Sequence, residues 1–370
     1  MSQTFDAAAR SLVDHRHPAM PATVTLKDVA QEAGIHASAV SRVLRGKDGQ
    51  LRLSDRRRQE IRDAADRLGY RPNAAARATV SGRFNSIALV CGTGVQTSTL
   101  HQGLLYPLTD ALGRRDMQLI VTRLSDEKLT DETQLPLFLR KHACDGLLLN
   151  YTHHVPPGVR QIIARYRIPS VWFNVKQDAD CVHPDDFEAG RAATRWLLQR
   201  GHTRVGYLNF SYAVIGGEDH YSVADRRAGY AAAMVDAGLV PDVVDLGRGL
   251  TDAQRLTAVR ELLQREDRPT AMTGYGGEVD AAAVAALTLG LDVPRDLDLV
   301  RFGEVEARFG GITIPTFLTP QRDLAAAAVD AVLRKARKPA TPLEPIAVGF
   351  DPPELDPARP DSSAARRGDP

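Results

Sequence analysis

From Thr25 to Val80 the apolar residues recur at helical spacing; beyond Ser86 they gather into short unbroken runs. Leu26, Val29, Ala30 and Ala33 share one face of a first helix, with Thr25 as its N-cap and Asp28 three positions on. Gly34 ends that helix in a tight turn. Val40, Val43 and Leu44 form the inward side of a second, short helix, which puts Ala37, Ser38, Ser41, Arg42 and Arg45 on its outer face. Ser54 caps a third helix, Asp55 to Leu68, whose Ile61, Ala64, Ala65 and Leu68 complete a three-helix core. Ala30, Gly34 and Val40 stand at the small, turn and apolar positions that let two helices cross closely, a helix-turn-helix. Gly69-Tyr-Arg-Pro-Asn73 stops the third helix, and Asn73 caps a short helix over Ala74 to Val80.

The later runs are strand-like. Ile87–Val90, Leu119–Val121, Gly146–Leu149 and Val171–Phe173 form one series, and Val205–Leu208, Val243–Leu246, Ala271–Thr273 and Leu299–Phe302 a second. Helix-length segments separate them, which predicts parallel sheets covered on both faces. Two such series make two lobes, with a ligand cleft outside the carboxyl ends of the strands. Residues 1–22 and 352–370 lack periodicity and read as disordered, and Met20 stands as an alternative start just ahead of the first helix.

Composition narrows the function. No apolar run reaches the roughly 18 residues that span a bilayer, and no secretory signal opens the chain, so a cytoplasmic protein is expected. Cys91, Cys144 and Cys181 are widely spaced and read as reduced thiols rather than a metal set. No nucleophile elbow, P-loop or metal-ligand spacing occurs, so neither catalysis, a cofactor nor a metal is expected. Gly274-Tyr-Gly-Gly277 is too short for a phosphate loop, and His153-His154 reads as a loop pair. The formal net charge is +1, but residues 23–85 hold thirteen Lys/Arg against seven Asp/Glu, leaving 86–370 at −5. A basic head on an acidic body calls for a polyanion partner.

Thr25-Leu-Lys-Asp-Val-Ala30, Val40-Ser-Arg-Val-Leu44 and Leu68-Gly-Tyr-Arg-Pro-Asn73 with Ala76-Arg77 closely resemble the DNA-binding headpiece of the LacI/GalR repressor family. The resemblance extends, more loosely, to about residue 350. It implies an all-α helix-turn-helix headpiece (23–72), a hinge helix and linker (73–85), and a two-lobed α/β core (86–351) like that of periplasmic binding proteins. The chain of that core crosses between lobes near Pro184-Asp-Asp186, near Leu318-Thr-Pro320 and within Pro339–Pro345. It further implies a homodimer, favoured over a tetramer, on a pseudo-palindromic double-stranded operator, with a small-molecule effector in the cleft and no membrane.

Residue by residue, the resemblance places Thr25, His36, Ala37, Ser38, Ser41, Arg42, Arg45, Tyr70, Asn73, Arg77 and Thr79 at the DNA. Arg42 suits bidentate reading of guanine, whereas Ala37 and Ser38 are small. His36 and Ala39 replace family hydroxyls, and Thr79 replaces a leucine wedge, which predicts a smaller bend in the duplex. In the core, Arg226 matches a family arginine that reaches the effector and suits a carboxylate or paired hydroxyls; an interlobe salt bridge is its other reading. Asn174, His220, Ser222, Tyr275 and Glu278 are the other lining residues. Gly303 replaces a family acid, Glu304 stands beside it, and Val95–Leu100 replaces an aromatic pair.

Overall fold

A computed structural model describes residues 24–46, 51–71, 83–93, 98, 100, 102–134, 144–210, 219–246, 250–309 and 311–353. Asn73, Arg77, Thr79, the hinge helix expected over Ala74 to Val80, the 1–22 extension and residues 354–370 lie outside them. The chain divides into two compact units between Arg83 and Phe84.

In the first unit, α1 (Leu26–Glu32), α2 (Ala37–Leu44) and α3 (Asp55–Leu68) enclose Val29, Val40, Val43 and Ile61, all buried, with Ala30, Ala33, Ala64 and Ala65 where the helices approach. Each fully buried Val or Ile contributes about 1.5–3 kcal/mol. Leu26, Ile35, Leu44, Leu51, Leu53, Leu68 and Tyr70 pack partly buried around that centre, and side-chain caps fix the helix ends. Thr25 and Asp28 form a reciprocal capping box on α1, and Ser54 Oγ accepts from Arg57 N on α3. Gly69 ends α3 at φ +67°, a left-handed conformation that favours glycine.

In the second unit all eight apolar runs are strands. The first lobe holds β1 (Ser86–Gly92), β2 (Gln118–Leu124), β3 (Gly146–Asn150), β4 (Ser170–Phe173) and β5 (Cys181–Pro184). The second holds β6 (Val205–Asn209), β7 (Asp242–Asp245), β8 (Ala271–Tyr275) and β9 (Asp298–Gly303). A small antiparallel pair, β10 (Ala307–Phe309) and β11 (Ile312–Ile314), follows, then β12 (Thr316–Leu318) and β13 (Ile346–Val348). The sheets run β13-β5-β4-β3-β1-β2 and β12-β9-β8-β6-β7, parallel throughout.

Period-two alternation decides which helices cover which face. Ile87 and Leu89 pack under α4 (Gln102–Gly113), which precedes the short α5 (Asp126–Thr130); Ala88 and Val90 pack on the opposite face, which α6 (Val159–Tyr166) covers. In the second lobe α7 (Asp186–Gln199) and α8 (Tyr221–Asp236) pack over Val205 and Tyr207. Then α9 (Asp252–Leu263) and α10 (Gly276–Thr288) cover Leu208 and Met272. The last helix, α11 (Gln321–Arg337), returns to the first lobe beside α4.

The crossings near Pro184–Asp186 and Leu318–Pro320 fall where expected. The third does not. Pro339–Pro345 stays on the first lobe because Asp180 binds Lys335 Nζ at 2.9 Å and Leu343 N at 2.8 Å. The chain crosses after β13, where Phe350 packs into the second lobe and Asp351 pairs with Leu318. Phe84 N and Asn85 N donate to the Asp145 carboxylate at 2.7 and 2.9 Å, so the body begins just ahead of the expected residue 86.

Candidate DNA-reading face and interlobe cavity

On α2 the buried Val40 and Val43 leave Ser38 and Arg45 exposed and Arg42 and Ala37 half-buried. Ser41 departs from the expected outer face. It is 9% exposed, and its hydroxyl accepts a bond from the Arg45 guanidinium, which ties Arg45 back along the helix. Its position at the margin of the apolar stripe, next to Val40, accounts for this.

His36 is the N-cap of α2: its Nδ1 accepts from Ser38 N at 3.4 Å and lies 2.9 Å from Ser38 Oγ. Thr25 is exposed at the start of α1, and Tyr70 packs half-buried against the headpiece core.

In the body, residues of both lobes enclose a cavity of about 340 Å³. Arg226, Asn174, His220, Ser222, Tyr275 and Glu278 all line it. Two glycines make the local geometry possible. A Cβ on Gly190 of α7 would run into the Arg226 backbone, and one on Gly229 of α8 into that of Phe187. The two helices therefore touch main chain to main chain, which carries Arg226 over the start of α7. There Arg226 Nε donates to Asp186 Oδ1 at 2.7 Å, with Asp186 1% exposed. The guanidinium carbon lies 4.2 Å from the Tyr275 ring centre, 4.7 Å from Phe302 and 5.2 Å from Phe350. Arg226 is thus an ion pair in an aromatic cage. Both members belong to the second lobe, so the pair is not the interlobe bridge. Asp186 Oδ2 is buried without a hydrogen-bond partner among the described residues.

Four of the lining residues bond to one another. His220 Nε2 lies 3.1 Å from the Asn174 carbonyl, which can only accept, so Nε2 carries the proton. Nδ1 then accepts from Ser222 Oγ at 2.7 Å, and Ser222 accepts from Tyr275 Oη at 2.6 Å. Burial lowers the His220 pKa to about 4, consistent with a neutral ring. Asn174 belongs to the first lobe and His220 to the second, so this chain spans the cleft. Lys176 Nζ to Asp225 Oδ2 at 2.5 Å spans it again.

Glu278 is largely committed within the protein. Its two oxygens accept from Phe210 N at 2.8 Å and Tyr275 N at 2.9 Å, while burial raises its pKa to about 7. Gly303 has Arg301 packed above it, held by Asp280 at 2.7 Å, so a side chain there would displace that pair. Glu304 also lines the cavity. The three cysteines are free and buried, and burial pushes Cys91 to about 11 and Cys144 to about 12.

Residues 25–73 match the family model for "Bacterial regulatory proteins, lacI family". Residues 96–298, more than half of the chain, match "Periplasmic binding proteins and sugar binding domain of LacI family". The chain belongs to the LacI family.

This LacI-family chain is a DNA-binding transcriptional regulator. It is 27% identical over 322 residues to the ribose operon repressor of Escherichia coli strain K12, covering 85% of this chain and 94% of that one. It is also 27% identical over 331 residues to the transcriptional regulator CelR of Thermobifida fusca, covering 85% and 94%. Its fold is similar to the lac repressor dimer bound to operator and the anti-inducer ONPF, with TM-score 0.69, 19% identity, and 90% and 98% of the two chains covered. The CelR–cellobiose complex is a second structural neighbour, with TM-score 0.54, 23% identity, and coverage of 89% and 98%.

Sequence reasoning missed Asp186, His153 and Phe302 as lining residues of this regulator. His153 sits 5.8 Å, ring to ring, from His220. Asp186 gave one signal, an acid directly after the first crossing. Its partner, 40 positions on, is brought to it by the glycine contact, which no local pattern reports.

Proposed function

We propose that this regulator is a non-enzymatic, cytoplasmic repressor that acts as a homodimer, placing two headpieces in adjacent major-groove turns of a pseudo-palindromic operator. A small effector, a sugar or related metabolite, occupies the interlobe cavity and shifts operator affinity by its differential affinity for the two lobe arrangements. The carrying observation is the cavity itself. Asn174 and Thr152 come from one lobe and Arg226 and Ser222 from the other, so a ligand there acts on the geometry between lobes. The names of the relatives, a ribose operon repressor and a regulator crystallised with cellobiose, support the same reading.

The chemistry of the pair refines the ligand. Asp186 already neutralises Arg226, so the guanidinium facing the cavity carries a balanced charge. That suits hydroxyls, which donate and accept, better than a second carboxylate, which Asp186 would repel. A thermal-shift panel of neutral monosaccharides, nucleosides and small acids tests this. The expected result is stabilisation by a neutral polyol that also changes binding to duplex DNA from the protein's own promoter region. Stabilisation by acids alone, or a stabiliser that leaves DNA binding unchanged, would contradict it.

A further inference from the structure

Arg57 ties the turn between α1 and α2 to α3. It stands in the first turn of α3, half-exposed, and its Nη2 donates to the Ala33 carbonyl at 2.7 Å and the Gly34 carbonyl at 3.2 Å. Its Nη1 donates to Glu60 Oε2 at 2.8 Å, and that bond lowers the Glu60 pKa. Ala33 is the C-cap of α1, and Gly34 follows at φ +58°. Carbonyls at a helix end lack intrahelical donors and carry partial negative charge, so a guanidinium is well matched to them. Only Gly34, Ile35 and His36 separate that end from α2.

We propose that Arg57 is a positioning residue for sequence recognition, which fixes the turn and so the direction in which α2 presents Ser38 and Arg42, without itself reading a base. Glu60 anchors one edge of the guanidinium while the other edge holds the turn. The fork is rigid and planar, so the anchor at Glu60 dictates where Ala33 and Gly34 must lie. Bidentate reading of a base edge is sensitive to such placement. The proposal rests on α2 being the reading helix. The competing role is a plain phosphate contact, which would act on every sequence alike.

The test uses full-length protein, the duplex that wild-type protein selects from a randomised pool, and a scrambled duplex, with affinities measured over a salt series. Failure of wild type to select any duplex would count against DNA reading itself, before any variant is compared. Arg57→Ala is expected to weaken the selected duplex by about tenfold, the scale of losing charge-assisted bonds, with little change on the scrambled one. Arg57→Lys keeps the charge but not the fork, so it should not restore selectivity. A phosphate contact predicts the reverse: equal losses on both duplexes, a salt slope smaller by about 1, and substantial rescue by lysine. Glu60→Gln decides the matter even where Arg57→Ala unfolds the headpiece. Loosening the anchor should lower selectivity under the proposal. Tighter binding to both duplexes, as expected when an acid beside a phosphate contact is removed, would overturn it.

Discussion

Replacing Arg226 strands Asp186 as a buried, unpaired acid. Removing one member of a buried pair costs about 3–5 kcal/mol, whereas replacing both with neutral groups costs much less. Arg226→Met should therefore lower the melting temperature sharply, and adding Asp186→Asn should recover part of the loss. Additive losses in a double-mutant cycle would show that the pair is not coupled. Arg226 illustrates which part of a site is legible in a sequence. Its place in the cavity came from its match to a family arginine. Its pairing with Asp186 and its aromatic cage could not be read, because Phe302 and Phe350 come from β9 and from beyond β13. Ser41 shows the same limit, since spacing put it outside but packing at the stripe's margin buried it. On α2, Arg42→Ala is expected to weaken the selected duplex far more than a scrambled one, by a factor equivalent to about 1–3 kcal/mol. Equal losses would make Arg42 a phosphate contact.

Helices and strands set the next scale. Gly229→Ala should separate α7 from α8 and weaken the Arg226–Asp186 contact with it. Urea denaturation should then show a loss of about 1–3 kcal/mol, typical of overpacking, and an unchanged midpoint would contradict the close crossing. The His220 bridge between lobes gives a pH signature. Burial takes its pKa from the ordinary 6.5 to about 4, so above pH 6.5 the ring is neutral in both folded and unfolded chains. As pH falls from 6.5 towards 4 the unfolded chain takes up the proton first and the folded state loses stability. Wild type should lose more stability across that window than His220→Ala, as read by thermal unfolding at stepped pH. Parallel curves would contradict a buried neutral His220. All eight short apolar runs announced their strands, whereas β5 and β10 to β13 were not announced. β5 and β10 to β12 each follow a strand with no helix between, so the strand–helix alternation does not flag them, and β13 owes its place to pairing with β5. The third crossing was misplaced for the same reason. Its position depends on Asp180 and Lys335 holding the Pro339–Pro345 stretch, not on prolines ending an element.

At the scale of the whole molecule, a homodimer needs a face. Tyr106 on α4 is 77% exposed and Val121 on the edge strand β2 is 52% exposed, which makes this side of the first lobe a candidate for that face. Tyr106→Lys is expected to shift the protein from dimer to monomer in size-exclusion chromatography with light scattering; an unchanged dimer would move the interface elsewhere. The central claim is that this chain reads a particular DNA sequence. Its most direct test is equilibrium binding of full-length protein to a duplex from its own upstream region and to random duplex, over a salt series. The account predicts preference for the former by at least about a thousandfold, with affinity for both falling steeply as salt rises. Equal affinity for the two duplexes, or binding to neither at low salt, would contradict it.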